Sequence, residues 1–196
     1  MFIDRKFPKT RLRRLRANAN IAELIAESSL SQTDLIQPLF VKEKLVGTEA
    51  IESMPGISRF SEDSILKEIE EVLETGIKSI ALFPVIDKTK KDSSGKEAIN
   101  KSNLICNSIR KIKDRFPEIV IIADVALDPY TDHGHDGLLV NGYVDNDLTL
   151  DILKSQSLVL AEAGADILAP SDMMDGRIGN IREALEAVSY THLTLP

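Results

Sequence analysis

Residues 119–137 read Ile-Val-Ile-Ile-Ala-Asp-Val-Ala-Leu-Asp-Pro-Tyr-Thr-Asp-His-Gly-His-Asp-Gly. The first half is rich in β-branched residues and apolar at both odd and even positions, so we expect a strand over 118–127 that is buried on both faces. Such strands are typical of parallel sheets. The second half crowds four carboxylates and two imidazoles into a segment whose Pro129, Gly134 and Gly137 exclude a regular helix. This density of ionisable groups after a buried strand is typical of a catalytic or ligand-binding loop on an α/β scaffold.

Helix and strand patterns alternate on both sides of this stretch. Further strands are predicted at 35–41, 77–86 and 165–171, and helices at 21–26, 61–76, 98–115, 148–163 and 178–188. We expect Ser61 and Asp147 to cap the N-termini of two of these helices and Gly76 to end one. Residues 42–60 carry glycine and proline, and we expect them to form a loop.

Two helix-to-strand joints are alike, Glu74-Thr-Gly-Ile-Lys-Ser-Ile80 and Glu162-Ala-Gly-Ala-Asp-Ile-Leu168. Together with strands that recur roughly every 40 residues, they indicate repeated βα units. Four such units form either a small doubly wound sheet or the first half of a (β/α)8 barrel, since a whole barrel needs ~250 residues. The last eight residues, 189–196, fit this pattern poorly. They form either a loop into a fifth strand or an appended foreign sequence, and we favour the second.

Composition restricts the function classes. The chain has 196 residues, a net charge of −7 and a pI near 5.1. We expect no nucleic-acid partner, because an acidic protein repels phosphate backbones. The basic head, residues 5–16, is either a solvated arm or a contact with an acidic neighbouring subunit. The one cysteine, Cys106, cannot form an internal disulfide or a zinc site alone. The sequence shows no secretory signal and no apolar run of ~18 residues, so we expect a cytoplasmic protein without membrane contacts.

Ligands of parallel α/β sheets bind beyond the carboxyl ends of the strands. This rule selects Lys42, Asp87, Lys88, Asp124, Asp128, Ser171, Asp172 and Asp175. Carboxylates that converge there repel one another unless a cation, a lysine or a proton intervenes. Mg²⁺ is the natural cation for oxygen ligands without cysteine. His133 and His135 are either metal ligands or acid/base groups, or they are hydrogen-bonded structural histidines. The sequence contains no phosphate-binding glycine loop and no nucleophile elbow.

The motifs taken together resemble one family, the delta-aminolevulinic acid dehydratases or porphobilinogen synthases. The resemblance covers residues from about Thr10 to Val188. It rests on Arg11-Leu-Arg-Arg-Leu-Arg16, Leu35-Ile-Gln-Pro-Leu-Phe-Val41, Ser53-Met-Pro-Gly56, Asp124-Val-Ala-Leu-Asp-Pro-Tyr130, Gly134-His-Asp-Gly137, Asp145-Asn-Asp147 and Ala169-Pro-Ser-Asp-Met-Met-Asp-Gly-Arg177.

The resemblance implies a TIM barrel, partial here over 35–188, and an N-terminal arm over 1–34 that wraps a neighbour in a homo-octamer. It implies a hydro-lyase of tetrapyrrole and haem biosynthesis, which condenses two molecules of 5-aminolevulinate into porphobilinogen with loss of two waters. Zinc-dependent members carry three cysteines where this chain has Ala126, Asp128 and Asp136. The chain therefore looks like the cysteine-free branch, which lacks catalytic zinc and is often stimulated by Mg²⁺.

The same resemblance implies roles for individual residues. Asp128 and Asp136 would position the amine of the second substrate or a cation. Asp124 and Ser171 match positions that line the family's active site, and Asp175 is a weaker candidate for substrate binding.

One departure from the family is large, because its two Schiff-base lysines lie on later strands, beyond the last residue here. Lys42 and Lys88 match neither position. We therefore expect this chain to be the N-terminal part of the enzyme, inactive alone, with exposed apolar surface that favours dimers or aggregates. The alternatives are a non-catalytic α/β module that binds a metal or an anion, and an aldolase-type Schiff-base barrel. The aldolase reading requires phosphate-binding loops, which the sequence does not show.

Overall fold

The computed structural model describes residues 6–195, and a six-stranded sheet lies at its centre. The strands within these residues are β1 (Gln37–Lys42), β2 (Thr48–Ala50), β3 (Ser58–Phe60), β4 (Ser79–Val85), β5 (Val120–Val125), β6 (Leu138–Val140), β7 (Tyr143–Asp145) and β8 (Ile167–Pro170). The helices are α1 (Ala19–Leu24), α2 (Ser64–Glu74), α3 (Leu104–Arg115), α4 (Asn146–Ala163) and α5 (Arg177–Ala187). The pair β6 and β7 forms a separate antiparallel hairpin.

The main sheet has the order β2-β3-β1-β4-β5-β8. Its four longer strands, β1, β4, β5 and β8, are parallel neighbours in chain order, and α2, α3 and α4 connect them. This arrangement confirms the predicted βα units and is the topology of half a (β/α)8 barrel. The carboxyl ends of all four strands lie at one edge of the sheet, so the loops after β5 and β8 are neighbours.

The two faces of the parallel strands differ in how well they are covered. Alternate residues of one face, such as Leu82 and Ile121, are fully buried in one cluster with α-helical residues such as Ile109. The opposite face, which we call the inner face, is also apolar and consists of Pro38, Phe40, Ala81, Phe83, Ile122, Ile167 and Ala169. Most of these side chains are only half-buried. The Phe40 and Phe83 rings lie 5.5 Å apart there. This half-buried face agrees with the prediction that the chain leaves apolar surface exposed.

The predicted helix 98–115 is wrong at its start. A 3₁₀ turn, Lys96–Ile99, is followed by a bend, and α3 begins only after Asn103. The buried Asn103 side chain accepts a hydrogen bond from the N–H of Cys106 (2.8 Å) and donates to the carbonyls of Glu97 (3.2 Å) and Ala98 (3.3 Å). An N-cap residue has non-helical backbone angles, so this capping separates the two segments.

Other local predictions need smaller corrections. The residue that caps α4 is Asp145, whose carboxylate accepts the N–H of Leu148 (2.9 Å), and Asp147 lies in the first turn instead. Helix α2 begins after Asp63; the hydroxyl of Ser61 still accepts the N–H of Ser64 at 3.1 Å. The expected loop 42–60 contains the short strands β2 and β3. Three-residue strands carry too little alternation to be recognised in sequence.

The two ends of the described chain differ in how far they are buried. The arm forms a 3₁₀ turn, Leu12–Arg16, and α1, neither of which contains a buried residue; residues 1–5 of the arm lie outside the described part. In the tail, Leu193 is buried, and Thr194 forms a parallel bridge with Ile167 at the edge of the sheet. A foreign origin of residues 189–196 stays a prediction. None of the helices in residues 6–195 combines the length and apolarity needed to cross a bilayer.

Candidate functional site

Asp124 and Ser171 form the centre of the site, at the carboxyl ends of β5 and β8. Asp124 pairs in register with Ala169, and the N–H of Ser171 donates to the carbonyl of Val125 (3.3 Å). The Ser171 side chain lies beside the Asp124 carboxylate and favours its ionised form. Burial raises the pKa of Asp124 to about 6, against the opposing effect of Ser171. Asp124 can therefore exchange a proton near neutral pH.

The loop after β5 folds back so that Asp136 returns to its start. The Asp136 carboxylate accepts the N–H of Leu127 (2.7 Å). The Leu127 carbonyl in turn accepts the N–H groups of Tyr130 (2.8 Å) and Thr131 (3.0 Å), and the Thr131 hydroxyl donates to the carbonyl of His135 (2.8 Å). These bonds hold Asp136 close enough to Asp124 for its negative charge to add to the rise of the Asp124 pKa.

Asp128 lies in the same loop with an exposed side chain. Partial loss of hydration raises the pKa of Asp128, and the charge of Asp136 adds to the rise. Lys91, from the loop after β4, opposes it. The structure thus brings together four of the five predicted substrate-binding residues: Asp124, Asp128, Asp136 and Ser171. The sequence did not point to Lys91 as a site residue, because no local pattern relates the loop after β4 to Asp128.

Asp175, the fifth predicted residue, lies apart from these four. Its side chain is exposed, and within residues 6–195 no hydrogen bond or ion pair joins its carboxylate to the other site residues. Its backbone is held by the Asn146 side chain, which accepts the N–H of Asp175 (2.7 Å) and donates to its carbonyl (3.3 Å). A role of Asp175 in substrate binding stays a prediction.

Asp172 lies closer to the site than Asp175. Its carboxylate is fully buried, accepts the N–H of Met174 (2.7 Å) and lies 3.3 Å from Nε of Arg177. Burial raises the pKa of Asp172, while Met174 and Arg177 oppose the rise. Asp124 and Asp136 also interact with this charge. The sequence placed Asp172 after a strand, as it did Asp175, but offered no sign of which one turns inward.

Two of the predicted residues after β1 and β4, Lys42 and Asp87, form ion pairs with other side chains. Lys42 pairs with Glu49 (2.5 Å), and Asp87 pairs with Lys44 (2.6 Å) and accepts the N–H of Thr89 (2.9 Å). Lys88 is exposed at the start of a 3₁₀ turn, Lys88–Lys90. A Schiff-base lysine needs a desolvated amine, whereas the Lys42 side chain is partly exposed and faces a carboxylate.

The histidines and the lone cysteine do not form a metal centre. Nδ1 of His133 accepts the N–H of His135 (3.1 Å), which agrees with a structural, hydrogen-bonded histidine. Cys106 is buried in α3, and burial raises the pKa of its thiol to about 11, so it is an inert packing residue. In the described part of the chain, no three histidine, cysteine, aspartate or glutamate side chains converge as a metal-binding group. The carboxylate oxygens near Asp124 suit a hard cation in chemistry, without offering a complete ligand set.

Comparison with known proteins places these features in a family. The model of the family described as delta-aminolevulinic acid dehydratase matches residues 9–195. The delta-aminolevulinic acid dehydratase of Chlamydia pneumoniae is 48% identical over 185 residues, which are 94% of this chain and 56% of the relative. That of Bradyrhizobium diazoefficiens is 50% identical over 163 residues, 83% of this chain and 46% of the relative.

A solved structure agrees with these matches. The delta-aminolevulinic acid dehydratase (porphobilinogen synthase) of Toxoplasma gondii ME49, in complex with the reaction product porphobilinogen, superimposes with a TM-score of 0.92 at 41% identity. The match covers 95% of this chain and 53% of that chain. The chain thus spans about half the length of the relatives that it matches.

Proposed function

Because the chain belongs to the delta-aminolevulinic acid dehydratase family, we propose that it forms the aspartate-lined part of a porphobilinogen synthase active site. The reaction would condense two molecules of 5-aminolevulinate into porphobilinogen and release two waters. The observation that carries this proposal is the contact of Asp124 with Ser171, next to Asp128 and Asp136. Ligands of the parent barrel bind at this edge of the sheet.

The chemistry of these residues suits the amine of a substrate. The Asp128 and Asp136 carboxylates would attract a substrate ammonium group, as the resemblance implies. Asp124 has a pKa of about 6, so it can accept a proton from that ammonium group and later return it. The lysines that would form Schiff bases with the substrate ketones belong, on this proposal, to the part of the enzyme that follows these residues.

The proposal extends to cofactor, partners and location. Mg²⁺ would be held by one or two of the site carboxylates and by water, as this cation usually is. Catalytic Zn²⁺ is not expected, since Ala126, Asp128 and Asp136 supply no thiolate. We propose a cytoplasmic homo-oligomer, octameric as in the family, with the exposed arm as the contact between subunits. The rival proposal, a self-contained binding module, is disfavoured by the half-buried inner face.

A fusion experiment tests the proposal. Residues 1–188 alone, incubated with 5-aminolevulinate, are expected to form no porphobilinogen. The same residues fused to the C-terminal half of the Chlamydia pneumoniae relative are expected to form it, and Asp124→Asn in the fusion is expected to lower turnover by a factor of ~100 or more. Asp151→Asn is the matched control, because Asp151 is exposed on α4. Porphobilinogen formation by the chain alone, or full activity of the Asp124→Asn fusion, would contradict the proposal.

A further inference from the structure

Helix α4 supports both loops of the site through side-chain bonds to their backbones. Asn146 binds the backbone of Asp175 in the loop after β8. In the loop after β5, the hydroxyl of Thr149 accepts the N–H of Leu138 (2.9 Å), and Nε2 of Gln156 donates to the carbonyl of Ala126 (3.0 Å). The bond from Gln156 reaches the peptide whose N–H binds the Asp136 carboxylate.

That peptide, between Ala126 and Leu127, is held from both sides. Its carbonyl accepts the amide of Gln156, and its N–H donates to the Asp136 carboxylate at 2.7 Å. A peptide unit is planar, so the direction of its carbonyl fixes the direction of its N–H. The Gln156 side chain therefore determines where the N–H that receives Asp136 points.

The Gln156 amide is only half satisfied at this place. Gln156 is 1% exposed, and its Oε1 has no hydrogen-bond partner among the described residues. A buried polar atom without a partner destabilises the folded state, so the bond of Nε2 to the Ala126 carbonyl is made against this cost. The neighbouring Ser157, equally buried, instead bonds the carbonyl of Leu153 within its own helix (2.8 Å).

We propose that Gln156 is a positioning residue that orients Asp136 in the site through the Ala126–Leu127 peptide. The functional part of this inference rests on the proposed function, because Asp136 is a predicted substrate-binding residue. The structural part does not, and it can be measured without substrate.

Amide hydrogen exchange of the whole chain, followed by NMR, tests the proposal with Gln156→Met. We expect the Leu127 N–H to exchange about tenfold faster, since its bond to Asp136 weakens when the peptide is released. The reference is the N–H of Ile121, in β5, which donates to the Asp166 carboxylate (2.7 Å) and should keep its rate. Ser157→Ala is the matched control and should leave both amides unchanged.

A second variant, Gln156→Glu, decides the case if Gln156→Met does not fold. A protonated glutamic acid can donate to the Ala126 carbonyl and an ionised one cannot, and burial favours the protonated form. Protection of Leu127 should match the parent chain at pH 5 and fall at pH 9. Unchanged protection of Leu127 in Gln156→Met and in Gln156→Glu at pH 9, or equal acceleration at Leu127 and Ile121, would overturn the proposal. Neither outcome bears on turnover in the fusion enzyme, so the two proposals fail separately.

Discussion

The Ser171 side chain lies beside the Asp124 carboxylate at the carboxyl ends of two neighbouring parallel strands, and this arrangement holds the pKa of Asp124 below the value that burial alone would give. Burial and the charges of Asp128, Asp136 and Asp172 favour the protonated acid, while the hydroxyl favours the carboxylate. The balance lies at a pKa of about 6, where one proton can be gained or lost under ordinary conditions.

Removal of the hydroxyl is expected to shift this balance. In Ser171→Ala, the pKa of Asp124 should rise above 6, because the hydroxyl that favours its carboxylate is lost. Carboxyl ¹³C NMR across pH 4–9 measures the midpoint. Ser155→Ala is the control, since the Ser155 hydroxyl bonds only within α4. An Asp124 midpoint that stays the same in both variants would show that Ser171 does not hold the carboxylate.

Asp124 is expected to make the stability of the chain fall as pH rises. Its folded pKa of about 6 lies above the value near 3.8 expected for the unfolded chain, so its contribution is complete below pH 4 and is lost through pH 6. Asp124→Asn removes this loss and should be more stable than the parent at pH 8 by about 1–2 kcal/mol, allowing for its partial exposure. Urea denaturation of both proteins at pH 5 and pH 8 gives the difference. If the variant gained more stability over the parent at pH 5 than at pH 8, the prediction would be wrong.

The buried Asp172 is expected to depend on Arg177. Arg177→Met leaves the carboxylate without its cation and should lower the free energy of unfolding by ~2 kcal/mol at pH 8, below the usual loss for a buried pair because Arg177 is partly exposed. The loss should shrink at pH 5, since burial already raises the pKa of Asp172 and protonation removes the unpaired charge. Arg110→Met, on the surface of α3, is the control. An equal loss at both pH values would argue against the ion pair.

The junction before α3 is expected to depend on one side chain. Asn103→Ala removes three hydrogen bonds from a fully buried position and should destabilise the chain by about 2–3 kcal/mol. Asn107→Ala removes two exposed hydrogen bonds, one to the Ser102 carbonyl and one from the Arg110 guanidinium, and should cost at most ~0.5 kcal/mol. Thermal unfolding of the two variants side by side is the measurement. Similar losses in both would mean that Asn103 does not hold the junction.

Two glycines are expected to respond in opposite directions to the same substitution. A Cβ at Gly137 would meet Cγ1 of Val144 at 2.5 Å and the Thr149 hydroxyl at 3.0 Å, so Gly137→Ala should destabilise the chain by about 1–3 kcal/mol. A Cβ at Gly179, inside α5, meets nothing within 4 Å, so Gly179→Ala should stabilise it by roughly 0.5–1 kcal/mol. Calorimetric melting of the pair checks both signs. If the Gly137→Ala chain were as stable as the parent, Val144 and Thr149 would have to lie further from Gly137 than they do here.

Several features could be predicted from sequence because they depend on neighbours along the chain. The burial of β5 follows from its apolar residues, and the end of α2 follows from Gly76, which takes a φ of +89°. The motifs that begin at Asp124 and at Ala169 indicated the family, which the match over residues 9–195 confirms. Ligand sites of parallel sheets lie at the carboxyl ends of the strands. This rule agrees with the position of four predicted site residues at one edge: Asp124, Asp128, Asp136 and Ser171.

Other features depended on contacts between distant segments. The βα repeat, the family and the segment that holds the acidic residues could be derived from the sequence, because hydrophobic period, capping and turn chemistry act over a few residues. The folded chain was needed to show that Asp172 turns inward while Asp175 stays in solvent, that Lys42 pairs with Glu49, and that Gln156 holds the peptide that binds Asp136. These choices rest on burial and hydrogen bonds between elements, which no local pattern of residues encodes.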